Sequence, residues 1–361
     1  MKHNSARHPA HGRNTHNPIP PPFTFKNDAK HQLANRFYGL PRGIIGAVNT
    51  RFGNRAFSLL KPLAAAVLAA ALAICASTTL TGCGASEGTS GASFTPATSI
   101  TESAFHEGEA EGSNGAQVDT SAVNDGYAAV KATNSSRLKL QVSSGGQSAN
   151  FDIPNNGEEA ICPLSFGNGT YQFRVMQNTS GTNYVELYST TANVQLTSEF
   201  APYLCPNIYC DFSEGSACVA KARELVANAQ NQGDAVEAIC NYVVQNVTYD
   251  EAKAAQLKEA SGYVPNPDST LSSGTGICFD YASLGAAMLR SQGIPAKIVT
   301  GYVSPDSIYH AWIMVYIDGT WKSAQFSVNK NEWSRVDLTF AASGSTGNVG
   351  DGKTYTDRYT Y

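Results

Sequence analysis

Residues Gly274 to Pro295 read GTGICFDYASLGAAMLRSQGIP, and this stretch decides what the chain is. Leu284, Ala287, Met288 and Leu289 recur at helical spacing, and Gly293 and Pro295 supply the stop signal. Cys278 therefore stands at the N-terminus of a helix. Unpaired backbone N–H groups and the positive end of the helix dipole favour a thiolate there, and Gly274 and Gly276 allow a close approach of the chain just before it. Taken alone, a cysteine in that position also suits a buried core thiol or half of a disulfide.

A thiolate nucleophile needs a base, and histidine is the usual partner. Of the seven histidines, His3, His8, His11, His16 and His31 lie in the first 31 residues, and His106 lies in a Ser/Gly/Glu-rich segment. Only His310 falls in a region patterned to fold. It sits in YHAWIMVYIDGTW, read as a strand that puts His310 and Trp312 on one face, with Asp318-Gly319 as a hairpin turn. A third residue that orients the imidazole has two candidates, Gln325 in WKSAQF and Asp337 in WSRVDLTF. Reading the latter as a strand aligns Trp333, Arg335, Asp337 and Thr339. Asp337 offers a countercharge to an imidazolium, and Gln325 offers none.

Three segments, GICFDYASLGAAMLRSQGIPAKIVTGY, YHAWIMVY and WSRVDLTFAAS, resemble the motifs of the transglutaminase-like superfamily, in the family's order. The resemblance covers about Ser213 to Tyr361. It implies an α+β, papain-like fold and a Cys-His-Asp triad of Cys278 as nucleophile, His310 as base and Asp337 as orienting residue. Leu338 replaces the family's usual proline after the aspartate. The implied chemistry is acyl transfer on peptide amides, by a cysteine peptidase or amidase if water accepts the acyl group and by a transglutaminase if an amine does. Tyr249 is a candidate oxyanion donor beside the Cys278 amide. The substrate class is protein or peptide, cell-wall peptide included, with no cofactor and no metal. The alternative is a non-catalytic surface adhesion or scaffold lipoprotein that retains the fold.

Upstream, residues 124–212 read as a β-rich domain. In RLKLQVSSGGQ, Leu138, Leu140 and Val142 share one face before a Gly145-Gly146 turn, and in GNGTYQFRV, Tyr171, Phe173 and Val175 do the same. This predicts a β-sandwich-like module of six to eight strands, whose function is binding, spacing or simply packing. Residues 213–361 form the transglutaminase-like domain. Its first two helices carry Val219, Ala222, Leu225 and Val226, then Val236, Ile239, Val243, Val244 and Val247, the second opening on Asp234 and Glu237 at capping-box spacing.

The N-terminal part reads as an export signal. PLAAAVLAAALAICASTTLTGC, ending at Cys83, is uncharged, follows Arg51, Arg55 and Lys61, and has an apolar part of only about a dozen residues, where a span needs about 20. Leu80, Thr81, Gly82 and Cys83 resemble the lipobox of bacterial lipoproteins. That makes 1–82 a leader with a lipoprotein signal peptide, Cys83 a lipid anchor, and the location the outer face of the cell membrane. Residues 83–123, rich in Ser, Gly, Thr and Glu without Lys or Arg, are expected as a solvated tether. Removing 1–82 leaves 15 basic against 28 acidic residues, net −13. Such a balance excludes nucleic acid as a partner. Export permits disulfides, and Cys205 and Cys210 in LCPNIYCDF are predicted to pair.

Overall fold

The computed structural model describes residues 88–258, 260–323, 325–344 and 354–361. The leader and the proposed lipidation site at Cys83 lie outside the described residues. Among the described residues, no helix is long and apolar enough to cross a membrane.

The first half is strand-built: β1 (Gly88–Gly91), β2 (Glu111–Ser113), β3 (Ala116–Asp119), β4 (Tyr127–Thr133), β5 (Leu138–Ser144), β6 (Gln147–Ile153), β7 (Asn156–Pro163), β8 (Gly169–Ser180) and β9 (Asn183–Val194). Strands β2 to β9 form two antiparallel four-stranded sheets, ordered β2-β3-β4-β7 and β6-β5-β8-β9. Alternation along each strand turns one face inward, so Leu138, Leu140, Val142, Phe173 and Val175 share a core with Ala116, Val118, Ala128 and Val130. Gly145 and Gly146 close the β5–β6 hairpin at φ 56° and 81°, the left-handed geometry that a two-residue turn of this kind demands.

The second half alternates helices and short strands: α1 (Ala217–Val226), α2 (Gln232–Asn246), β10 (Thr248–Tyr249), α3 (Glu251–Leu257), α4 (Pro267–Ser273), β11 (Thr275–Gly276), α5 (Cys278–Arg290), β12 (Ala296–Val303), β13 (Ile308–Val315), β14 (Gly319–Lys322), β15 (Ser327–Val328), β16 (Ser334–Val336), α6 (Leu338–Ala342) and β17 (Tyr355–Thr360). Every residue of α5 is buried. Its small and apolar residues all round suit a helix enclosed by other elements. One side meets the four-stranded antiparallel sheet β16-β13-β12-β17 through Ile298, Ala311 and Ile313, and the other sides meet α1, α2 and α4. A bare Cα at Gly285 lets α6 lean against α5, since a Cβ there would lie 2.5 Å from Leu338 Cδ1. The whole is an α+β fold in which strands outnumber helices.

Four local expectations change. The 88–123 stretch is not a free tether: β1 runs antiparallel to β14, Ala92 N–H donates to Asp318 O at 2.7 Å, and Ala116, Val118 and Val123 enter the sandwich core. Small residues that suit a solvated chain also suit an edge strand squeezed against a neighbour. Asp318-Gly319 does not close a hairpin, because β14 pairs with β1 and β15 while β13 pairs with β12 and β16. Helix α2 begins earlier than its apolar stripe suggested, with Asn231 as cap and Asp234, not Glu237, as its reciprocal partner. The strand read through WSRVDLTF ends at Val336, and α6 follows.

Cys205 and Cys210 are free thiols that face different partners. The Cys205 thiol lies 3.8 Å from Pro202 O, and that of Cys210 lies 3.9 Å from Ser283 O on α5. They do not pair as predicted. Burial pushes the thiol of Cys210 up to about 11, which leaves it a poor nucleophile.

Arg290, at the end of α5, is 2% exposed and spends its guanidinium on three backbone carbonyls: Ala296 O, Cys205 O and Tyr361 O, each at 2.9 Å. Beside it, Phe151 of the sandwich, Tyr209 of the connector, Phe279 of α5 and Tyr361 after β17 pack ring against ring, with centroids 4.6 to 6.4 Å apart. The two halves thus share one core.

Candidate active site

The N-terminus of α5 is shaped by what precedes it. Residues 248–249 and 275–276 pair as two parallel strands, and Asp250 N–H donates to Gly276 O at 2.9 Å, so the chain arrives at Cys278 along a fixed path. Gly276 is required for that path, because a Cβ there would come within 2.6 Å of Asp280 Cβ. Cys278 is the first residue of the helix and is 3% exposed.

His310 stands on β13, opposite Gly301 of β12, close enough to Cys278 for the thiol to act on its imidazole. Its Nε2 lies 2.9 Å from Asp337 Oδ2. The ring is held flat by Phe340, whose ring stacks on it at a centroid distance of 4.4 Å and an angle of 16°, and Trp312 stacks further off on the same strand face at 6.3 Å.

Asp337 is fixed from three sides. Its position between the end of β16 and the start of α6 makes it the helix cap, with Oδ1 accepting the Phe340 N–H at 3.0 Å. Oδ2 accepts from the Tyr355 hydroxyl at 2.8 Å as well as from His310. Burial alone would raise this carboxyl, but the adjacent imidazole and these donors outweigh it and hold the acid below the usual carboxylate range. Burial likewise opposes a charged imidazole at His310, and the negative charges of Asp337 and Cys278 override it, raising the group to about 10. The fold thus brings Cys278, His310 and Asp337 together, with the imidazole between the thiol and the carboxylate.

Gln325, the other candidate for the third position, is elsewhere: its Nε2 donates to Ala341 O at 3.2 Å, at the end of α6. Tyr249 comes close enough to Cys278 for the thiol's charge to act on it, after burial, in pushing the phenol well above its ordinary range. Its hydroxyl therefore stays protonated and able to donate.

Sequence reasoning missed the surroundings. Phe340 and Tyr355 gave no signal, because a stacking ring and a distant hydroxyl have no spacing to read. Asp280 did give one, an acid at the third helical position, where a carboxylate caps the helix start. It accepts the Ile277 N–H at 2.8 Å and pairs with Lys253 Nζ at 2.7 Å and with the Tyr263 hydroxyl.

Residues 219–338, which span Cys278, His310 and Asp337, match the family model of the transglutaminase-like superfamily. This part of the chain is a transglutaminase-like domain. An uncharacterized protein of Mycobacterium leprae is 31% identical over 123 residues, 29% of this chain and 40% of that protein. A UPF0252 protein of Methanocaldococcus jannaschii is 27% identical over 153 residues, 38% of this chain and 40% of that protein. The match thus spans two fifths of the length of either relative. Among solved structures, a cysteine protease candidate from Cytophaga hutchinsonii aligns at 16% identity with a TM-score of 0.30, over 64% of this chain and 80% of that one.

Proposed function

We propose that the protein is a thiol enzyme that transfers acyl groups from peptide amides, held at the outer face of the membrane through lipid on Cys83. The observation that carries the chemistry is the juxtaposition of the Cys278 thiol at the start of α5, the His310 imidazole and the buried Asp337, whose Oδ2 lies 2.9 Å from His310 Nε2. Cys278 Sγ attacks the amide carbonyl carbon while the imidazolium of His310 gives its proton to the departing nitrogen. The C–N bond breaks, an amine leaves, and a thioester remains on Sγ. Neutral His310 then takes a proton from water or from an amine as that acceptor attacks the thioester, which breaks the C–S bond, frees the thiolate and restores the imidazolium. Asp337 keeps the ring oriented and stabilises its charge throughout. The Cys278 backbone amide at the start of α5 and the protonated Tyr249 hydroxyl are the donors assigned to the developing oxyanion.

The proposal is tested by the iodoacetamide labelling rate of Cys278 in wild type against His310→Ala. A reactive thiol in the wild type that slows at least tenfold in the variant at pH 6 supports the reading. Equal rates, or a wild-type rate that keeps rising up to about pH 8.5 as for a free cysteine, sink it. Mass spectrometry of membrane-extracted protein tests the anchor, and an unmodified Cys83 would remove it.

A further inference from the structure

Asp280 is the one carboxylate that the proposed mechanism leaves unused although it lies two residues from the nucleophile. It is fully buried, and its bonds join the segment before Cys278 to two neighbouring stretches of chain. Oδ2 accepts from the amide of Ile277, the residue immediately before Cys278, and from Lys253 on α3, and Oδ1 accepts from Tyr263 in the connection to α4. Lys253 in turn lies over the Tyr263 ring at 4.8 Å, and its own backbone N–H is held by Asp250 at 2.8 Å. Helix α3 has no buried residue. It packs on the core through the partly buried Ala254 and Leu257, and the Asp280–Lys253 pair ties it directly to the α5 terminus.

A buried carboxylate so close to the thiol works against a thiolate unless its charge is balanced. We propose that Lys253 and Asp280 form a charge-balanced positioning pair that sets how readily Cys278 ionises, with Asp280 fixing the nucleophile's backbone and Lys253 cancelling the carboxylate's repulsion. This rests on Cys278 being the nucleophile. The other groups that face the thiol are His310 from β13, backed by Asp337, and Tyr249 from β10, with Glu251 and Tyr281 acting on Tyr249 alongside the thiol. Of these, Lys253 is the cation directly bonded to Asp280. It is 30% exposed at its side chain, so removing it leaves no large void.

Opposite charge changes give opposite results. Lys253→Met leaves the carboxylate unbalanced and moves the pH midpoint of Cys278 alkylation upward. Asp280→Asn keeps the shape, leaves the lysine unbalanced, and moves the midpoint downward. The double variant returns it close to wild type. Mere loosening of the helix start would slow both single variants in the same sense. The experiment is the pH profile of iodoacetamide labelling at Cys278 in wild type and the three variants, with circular dichroism to confirm folding. Midpoint shifts of at least half a pH unit in opposite directions, cancelling in the double variant, support the proposal. Shifts of the same sign, or none, overturn it. Should Asp280→Asn fail to fold, Lys253→Met against Lys253→Arg decides: the arginine must restore the wild-type midpoint. A wild type whose Cys278 labels like a free cysteine removes the proposed function itself, an outcome distinct from failure of this pair.

Discussion

Replacing Asp337 by asparagine tests the centre of the site with little change in shape. The amide keeps an oxygen that can cap Phe340 N–H and accept from Tyr355, so α6 should survive, while the charge beside His310 disappears. That charge has much to offset. His310 is buried, which disfavours an imidazolium, yet it is raised from 6.5 to about 10. At 1.36 kcal/mol per pH unit this corresponds to a preference for the charged ring on the order of 5 kcal/mol, shared between Asp337 and the thiol. If Asp337 supplies half or more, its loss costs at least about 2 to 3 kcal/mol, on the order of a hundredfold in rate. The predicted outcome is at least a hundredfold fall in turnover of a peptide amide, with the acid limb of Cys278 alkylation moving toward that of an ordinary cysteine. The assay pairs labelling profiles with thermal unfolding to show that the fold is intact. An Asp337→Asn protein that is folded and matches wild type in both profile and turnover would refute the electrostatic role. A Gln325→Ala variant with the larger defect would move that role to the amide.

The same pair sets a pH window for stability. His310, raised in the fold, contributes fully below about 6.5 and loses its contribution as pH rises through about 10, whereas Asp337, depressed, contributes above its ordinary 3.8 and loses it on acidification. The gap in Tm between wild type and Asp337→Asn should thus be widest between about pH 4 and 6.5 and close toward pH 10. A gap independent of pH would contradict this. Gly285→Ala should cost roughly 1–3 kcal/mol in urea unfolding, the usual toll of overpacking, through the Leu338 contact, and Leu338→Ala in the same chain should recover part of it. Arg290→Met should cost roughly 2–3 kcal/mol or more, because the buried carbonyls of Ala296 and Cys205 lose the guanidinium and that of Tyr361 keeps only the Ile298 N–H. A non-reduced peptide map should show no Cys205 to Cys210 link, with both thiols labelled only after unfolding.

The candidate site residues, which the fold brings together, were legible because each sits at a place where local pattern and chemistry coincide. Cys278 is marked by glycines before it and a helix after it, and His310 by being the histidine left in a patterned region. Asp337 was legible as a charge but not as a helix cap, since alternating apolar and polar residues in WSRVDLTF mimic a strand whose last members in fact turn into α6. The sandwich strands showed their inner faces plainly. Strand β1 did not, because a Gly/Ser/Thr edge strand held by a distant hairpin carries no pattern of its own. The two cysteines of LCPNIYCDF suggested a bridge through their spacing, and only packing against Pro202 on one side and α5 on the other could separate them. Asp280 lay in view within FDY, but its lysine is 27 residues away and its tyrosine 17, distances over which spacing says nothing.

The Arg290 junction makes the two halves inseparable parts. One guanidinium ties the last turn of α5, the helix that begins at Cys278, to the sandwich connector at Cys205 and to the far end of the chain at Tyr361, and an aromatic cluster seals the same seam. Such a chain has little freedom to trade its β half for another during evolution, or to lose it in a truncated clone, without baring Phe279 and Tyr361 to water. Heating should melt it in a single calorimetric transition, and a spacer inserted near Cys205 should alter the labelling rate of Cys278, a thiol that it never touches.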